Sequence, residues 1–146
     1  MWMNTKYEPG TVKVIAYDAE GNKVATTEVH TAGKPHRLML EADRKTIKAD
    51  GKDLSFITVS MVDKDGNLCP HADDLVKFNV KGEGTYRAGA NGNSASLDLF
   101  HEPQMHFFNG QLTAIVESLE KEAGTITLEA SANGVEGATI EIETTL

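Results

Sequence analysis

Apolar and polar residues alternate one for one along much of this chain. In Val76-Lys77-Phe78-Asn79-Val80-Lys81 the alternation puts Val76, Phe78 and Val80 on one face of an extended strand. Ala138-Thr139-Ile140-Glu141-Ile142-Glu143 does the same, with Ala138, Ile140 and Ile142 predicted inward. Ile126, Leu128 and Ala130 alternate with Thr127 and Glu129, whereas Val12, Val14 and Ala16 are interrupted by Ile15. Leu54 to Val62 is apolar on both faces, which predicts a strand in the middle of a sheet. Leu112 to Val116, His36 to Ala42 and Lys23 to His30 complete the set. Helical periodicity is nearly absent. Its only candidates are Ser118 to Ala123, short and highly charged, and one helical turn over Pro70 to Asp74.

Turn signals punctuate these runs: Asp18-Ala19-Glu20-Gly21-Asn22, Asp50-Gly51, Asp65-Gly66-Asn67, Asn91-Gly92-Asn93, Asn109-Gly110 and Asn133-Gly134. Eight or nine short strands so separated predict an all-β fold, an immunoglobulin-like β-sandwich with an N-terminal β-hairpin. Residues 7–32 read as the hairpin. Thr31-Ala32-Gly33-Lys34-Pro35 reads as a linker, since it is small and ends in proline. Two units follow: residues 1–34, a partial module, and residues 35–146, the sandwich. Residues 82–111, rich in Gly, Asn, Ser and His, read as a long loop zone, where binding functions concentrate.

Composition narrows the function classes. The 146 residues are 40% hydrophobic and 25% charged, enough for a packed core in one domain, or one domain and a fragment of another. The net charge of −8 excludes nucleic acid and an anionic membrane surface as the main partner. Cys69 is the single cysteine, so an internal disulfide framework and a Cys-based zinc cluster are excluded. No apolar run approaches the ~20 residues of a membrane helix, and Met1 to Lys6 lacks the apolar core of a signal peptide.

Candidate chemistry is sparse. Gly82-Glu83-Gly84 lacks the third glycine and the following helix of a phosphate loop. Cys69-Pro70-His71 offers a thiol beside an imidazole, the elements of a nucleophile pair, but a small half-buried hydrophobe at a strand end is the simpler reading. His101 and His106 are five apart with Pro103 between them, which a helical zinc motif does not allow. Asp63-Lys64-Asp65-Gly66-Asn67, Asp73-Asp74 and Glu120/Glu122 carry oxygens of the kind calcium takes, but the first suits a hairpin turn better. No carboxylate pair is marked out for glycoside hydrolysis. Trp2, Tyr7, Tyr17, Phe100, Phe107 and Phe108 are the aromatics available to stack on a sugar, and Phe107 with Phe108 is the candidate platform.

Two stretches carry a family resemblance. Tyr7-Glu8-Pro9-Gly10-Thr11-Val12-Lys13-Val14-Ile15-Ala16-Tyr17-Asp18, with Gly21, Val24-Ala25 and Thr31 to Pro35, resembles the closing hairpin of an immunoglobulin-like module in glycoside hydrolase family 2 enzymes. Ala49-Asp50-Gly51-Lys52-Asp53-Leu54-Ser55-Phe56-Ile57-Thr58-Val59 resembles the start of the next module in bacterial β-galactosidases of that family. Val76-Lys77-Phe78, Phe108-Asn109-Gly110, Ala114-Ile115-Val116 and Gly124 to Leu128 extend the likeness over most of the chain. Glu83 departs from it, standing where the family has proline between two glycines.

The resemblance implies a non-catalytic C-terminal accessory domain of a β-galactosidase-like enzyme, with no catalytic residue, metal or cofactor of its own. Its partner would be the rest of the parent hydrolase, a protein periplasmic or secreted in a bacterium. The alternatives are a carbohydrate-binding module using Phe107 and Phe108, and an adhesin-like cell-surface sandwich. The unpaired edges of the hairpin further predict pairing with a second copy.

Overall fold

A computed structural model of the chain describes residues 6–146. Trp2, one of the aromatic candidates, lies outside the described residues. The elements are β1 (Thr11–Tyr17), β2 (Lys23–His30), β3 (Arg37–Ala42), β4 (Thr46–Lys48), β5 (Leu54–Val62), β6 (Leu75–Gly82), β7 (Gly84–Ala90), β8 (Gln104–His106), β9 (Gln111–Ser118), β10 (Gly124–Ala132) and β11 (Ala138–Thr145). There is no helix among the described residues. Ser118 ends a strand, and Lys121 at φ 65° belongs to a tight turn. Over 70–74 a hydrogen-bonded turn, Ala72 N–H to the Cys69 carbonyl at 3.1 Å, takes the place of the expected helical turn.

Two sheets make the sandwich. One has the order β4-β11-β10-β6-β8 and the other β3-β5-β9-β7. All ladders are antiparallel except β11 with β4. β5 lies between β3 and β9 as its two-faced apolar sequence requires. The inner faces meet in one core that includes Ile57, Val59, Met61, Val76, Met105, Val116, Ile126, Leu128 and Ile142. Burying each such side chain contributes about 1.5–3 kcal/mol. The Tyr86 ring stacks on Phe78 with centroids 5.5 Å apart.

The chain changes sheets at short corners, and these fix the fold. Between β4 and β5, Asp50 Oδ1 accepts from the N–H groups of Lys52 (2.9 Å) and Asp53 (2.8 Å), while Asp53 Oδ2 accepts from Lys48 N–H at 2.9 Å. The distinctive Asp-Gly-Lys-Asp-Leu-Ser-Phe run is therefore a sheet-switching corner. Gly82-Glu83-Gly84 is another, from β6 to β7. Gly82 sits at φ 84°, and a Cβ there would strike the Thr125 carbonyl oxygen.

The zone over 82–111 holds more structure than its composition suggests. β7 and β8 both lie in it. β7 escapes sequence detection because its residues are small, and close packing is what requires this. A Cβ on Gly84 would overlap the Ile126 side chain and the Glu117 carbonyl, and one on Gly89 would come within 2.5 Å of the Tyr86 hydroxyl.

β1 and β2 form a separate two-stranded sheet, and every residue in both strands is exposed. The register pairs Val12 with Val29, Val14 with Thr27 and Ala16 with Ala25 on one face, so the hairpin has an apolar side that this chain leaves uncovered. The opposite face carries the Lys13–Glu28 ion pair at 3.3 Å.

Core and hairpin should respond differently to truncation. Ile57→Ala is expected to lower unfolding stability by about 2–5 kcal/mol, whereas Val14→Ala should change it by less than about 0.5 kcal/mol. Urea melts followed by intrinsic fluorescence measure both. Equal losses would mean that the hairpin folds as part of the sandwich core.

Candidate functional site

Three places gather polar chemistry. The first is the seam between hairpin and sandwich. Asp63 follows β5 and is only 2% exposed. Its Oδ2 accepts from Gly33 N–H at 2.7 Å, and its Oδ1 from the N–H groups of Asp65 (2.9 Å) and Asn67 (2.8 Å). The Asn67 side-chain amide adds a bond at 3.1 Å. These donors, Gly33 foremost and Asn67 next, hold the Asp63 carboxyl far below the usual carboxylate range against the opposing effect of burial. Both oxygens are thus committed to N–H donors. The stretch considered for calcium is a turn that staples the linker to β5.

Beside the staple lies a groove of about 1180 Å³ between the hairpin base and the loop after β5, with Tyr7, Pro9, Val29, Leu68, Pro70 and His71 among its walls. Cys69 is buried at its floor, its Sγ 3.9 Å from the carbonyls of Gly33 and Asn67. Burial, and secondarily the Asp63 charge, push its thiol up. A nucleophile needs the opposite shift. Cys69 is a core residue, and the Cys69–His71 pair is not an activated one.

The second place is the connection from β7 to β8. Asp98 Oδ2 accepts from His106 N–H at 2.9 Å, and Asp98 Oδ1 lies 3.0 Å from His106 Nδ1. The backbone donor, then the imidazole, keeps the Asp98 carboxyl below its ordinary value. His101 points elsewhere, 3.8 Å from Glu102. The two histidines of the superficial metal motif therefore serve separate contacts, and no three His, Cys, Asp or Glu side chains converge on a metal position among the described residues. The third place is the corner at Glu83, whose carboxyl is raised by a hydrogen bond with Glu122, then by burial and by the Glu122 charge. Glu122 is thereby engaged with another acid.

The structure separates the candidate aromatic platform. Phe107 is 3% exposed and belongs to the core, whereas Phe108 is 41% exposed. Adjacent residues in extended backbone point to opposite sides. Once Phe107 packs inward against the sandwich it has no ring face to offer a sugar, and Phe108 stands without it. Two features carry no warning in the sequence. Asp63 reads as an ordinary turn acid until the linker donor is placed against it. Within the zone read as a long loop, Leu97 and Leu99 are exposed while Ser96 and Asp98 are half-buried.

Residues 38–141 match the family model for glycoside hydrolase family 2 C-terminal domain 5. A beta-galactosidase of Bacteroides ovatus is 42% identical over 137 residues, which are 94% of this chain and 16% of that protein. A beta-glucuronidase of Formosa agariphila is 26% identical over 144 residues, 96% of this chain and 14% of that protein. The crystal structure of a glycosyl hydrolase family 2 member from Bacteroides cellulosilyticus shares the fold with a TM-score of 0.88 and 32% identity, covering 97% of this chain and 18% of that one. The chain thus spans less than a fifth of the length of these relatives.

The staple predicts an acid limb of defined sign. The Asp63 pKa is depressed in the fold from an ordinary 3.8, so its stabilisation is complete above about pH 5 and is lost as pH falls through 3.8 towards the native value. Asp63→Asn keeps the shape but turns an amide towards donors. The variant should melt several degrees lower at neutral pH and lose less further stability between about pH 5 and pH 2. Thermal melts across that range test this, and superimposable acid limbs would refute it.

Proposed function

Because the chain belongs to the glycoside hydrolase family 2 C-terminal domain 5 family, we propose that it is a non-catalytic accessory domain of a β-galactosidase-like glycoside hydrolase. Its role in this reading is architectural: it packs against the rest of a longer polypeptide and spaces or steadies the part that hydrolyses the glycosidic bond. The observation that carries the reading is the length relation, in which a chain matched over 94% of its residues accounts for 16% of a beta-galactosidase. The site geometry supports it. Asp63, Asp98 and Cys69 are spent on holding backbone and core, and Glu83 and Glu122 on each other. In the same reading residues 1–34 are the closing hairpin of a preceding immunoglobulin-like module, whose remaining strands would cover Val12, Val14 and Val29.

The alternative, carbohydrate recruitment, draws its support from the exposed Phe108 ring. Affinity electrophoresis of the 146-residue chain through gels containing galactosides separates the two. Unretarded migration, together with no turnover of a chromogenic β-galactoside, is the expected result. Retardation relieved by Phe108→Ala would favour a binding module, and turnover by the clean chain would overturn both readings.

A further inference from the structure

The β7–β8 connection turns its large apolar residues outward, opposite to the core-facing positions of the sandwich strands. Over Ser96-Leu97-Asp98-Leu99 the polar residues Ser96 and Asp98 are half-buried while Leu97 and Leu99 are exposed. Leu97 is 96% exposed, Leu99 57% and the following Phe100 63%. Such exposure of three large apolar side chains within four residues is unfavourable in water and marks a surface that meets something else.

The segment is braced from within. Asp98 is tied to both the main chain and the ring of His106. The Phe100 carbonyl accepts from Gly89 N–H at 2.7 Å. Asn91 Nδ2 donates to the His106 carbonyl at 3.0 Å, Asn91 Oδ1 accepts from Asn93 N–H, and Asn93 Oδ1 accepts from Ala95 N–H. The apolar tips therefore sit on a backbone already held in place, so docking them costs little further ordering.

We propose that residues 94–102 form a docking prong, which inserts Leu97, Leu99 and Phe100 into an apolar groove on another domain of the same, longer polypeptide. This rests on the accessory-domain reading. Three observations select that occupant. The relatives carry more than four-fifths of their length outside the matched region, so a longer polypeptide of this kind supplies a large covalently tethered surface. Asp98 is hydrogen-bonded to His106 and Glu102 lies beside His101, so neither carboxylate is part of the apolar apex formed by Leu97, Leu99 and Phe100. A sugar stacked on the exposed Phe100 ring would lack Ser96 and Asp98 as hydroxyl partners, because both are half-buried and Asp98 is bonded to His106.

Hydroxyl-radical footprinting tests the inference on the 146-residue chain and on the longer polypeptide that contains it, with galactoside hydrolysis by the latter measured in parallel. Leu97, Leu99 and Phe100 should label strongly in the 146-residue chain and several-fold less in the longer polypeptide. Leu97→Ser with Phe100→Ser should leave the melting of the 146-residue chain unchanged and lower that of the longer polypeptide. Unchanged labelling in a longer polypeptide that hydrolyses galactosides overturns the prong and leaves the accessory-domain reading intact. Absence of hydrolysis by the longer polypeptide overturns that reading, and the prong as argued falls with it. Protection that rises with concentration of the 146-residue chain assigns the patch to a second copy, and protection by added lactose assigns it to a sugar. Either result overturns the proposal.

Discussion

Where a strand leaves its sheet, backbone N–H groups lose their ladder partners and must find another acceptor. In this domain aspartate carboxylates supply it. Asp43 accepts from Arg44 and Phe56, Asp50 from Lys52 and Asp53, Asp53 from Lys48 and Leu54, Asp63 from Gly33, Asp65 and Asn67, and Asp98 from His106. With a single cysteine and, among the described residues, no helix, these bonds hold the corners at which β5 and its neighbours enter the sandwich. The −8 charge has a structural share as well as a solvated one. Negative carboxylates are the strongest acceptors available for an orphan donor.

The same device sets the division of labour across the molecule. The Asp63 staple is the point where the exposed hairpin is tied to the sandwich. The Asp98 brace holds an apolar segment outward. Residue types that elsewhere do chemistry, the acids and His106, are here consumed in building shape. A domain organised in this way presents surfaces and spacing, which accords with the accessory role proposed above.

Legibility in the sequence tracked how local each determinant is. β2 and β5 run over the residues the sequence indicates, and β5 lies between β3 and β9 as its apolar sequence predicts. β7 was hidden, because Gly84 answers to Ile126 and Glu117, both distant in sequence, and Gly89 to the Tyr86 hydroxyl. Phe107 and Phe108 are divided for a similar reason, one buried and one exposed. Adjacent aromatics look alike on paper, and only the position of the core decides which one turns inward.

By itself the sequence determined that the chain is all-β, where most strands begin and end, that a linker separates hairpin from sandwich, and which family it resembles. These are consequences of short-range backbone preference and two-residue periodicity. Tertiary structure alone decided that Asp63 is a buried staple, that Cys69 belongs to the core, and that Leu97, Leu99 and Phe100 face outward. Asp63 is decided by Gly33, thirty residues back along the chain, and Asp98 by His106, eight residues on. A pattern of alternation states that two faces exist, and only packing says which of them is inside.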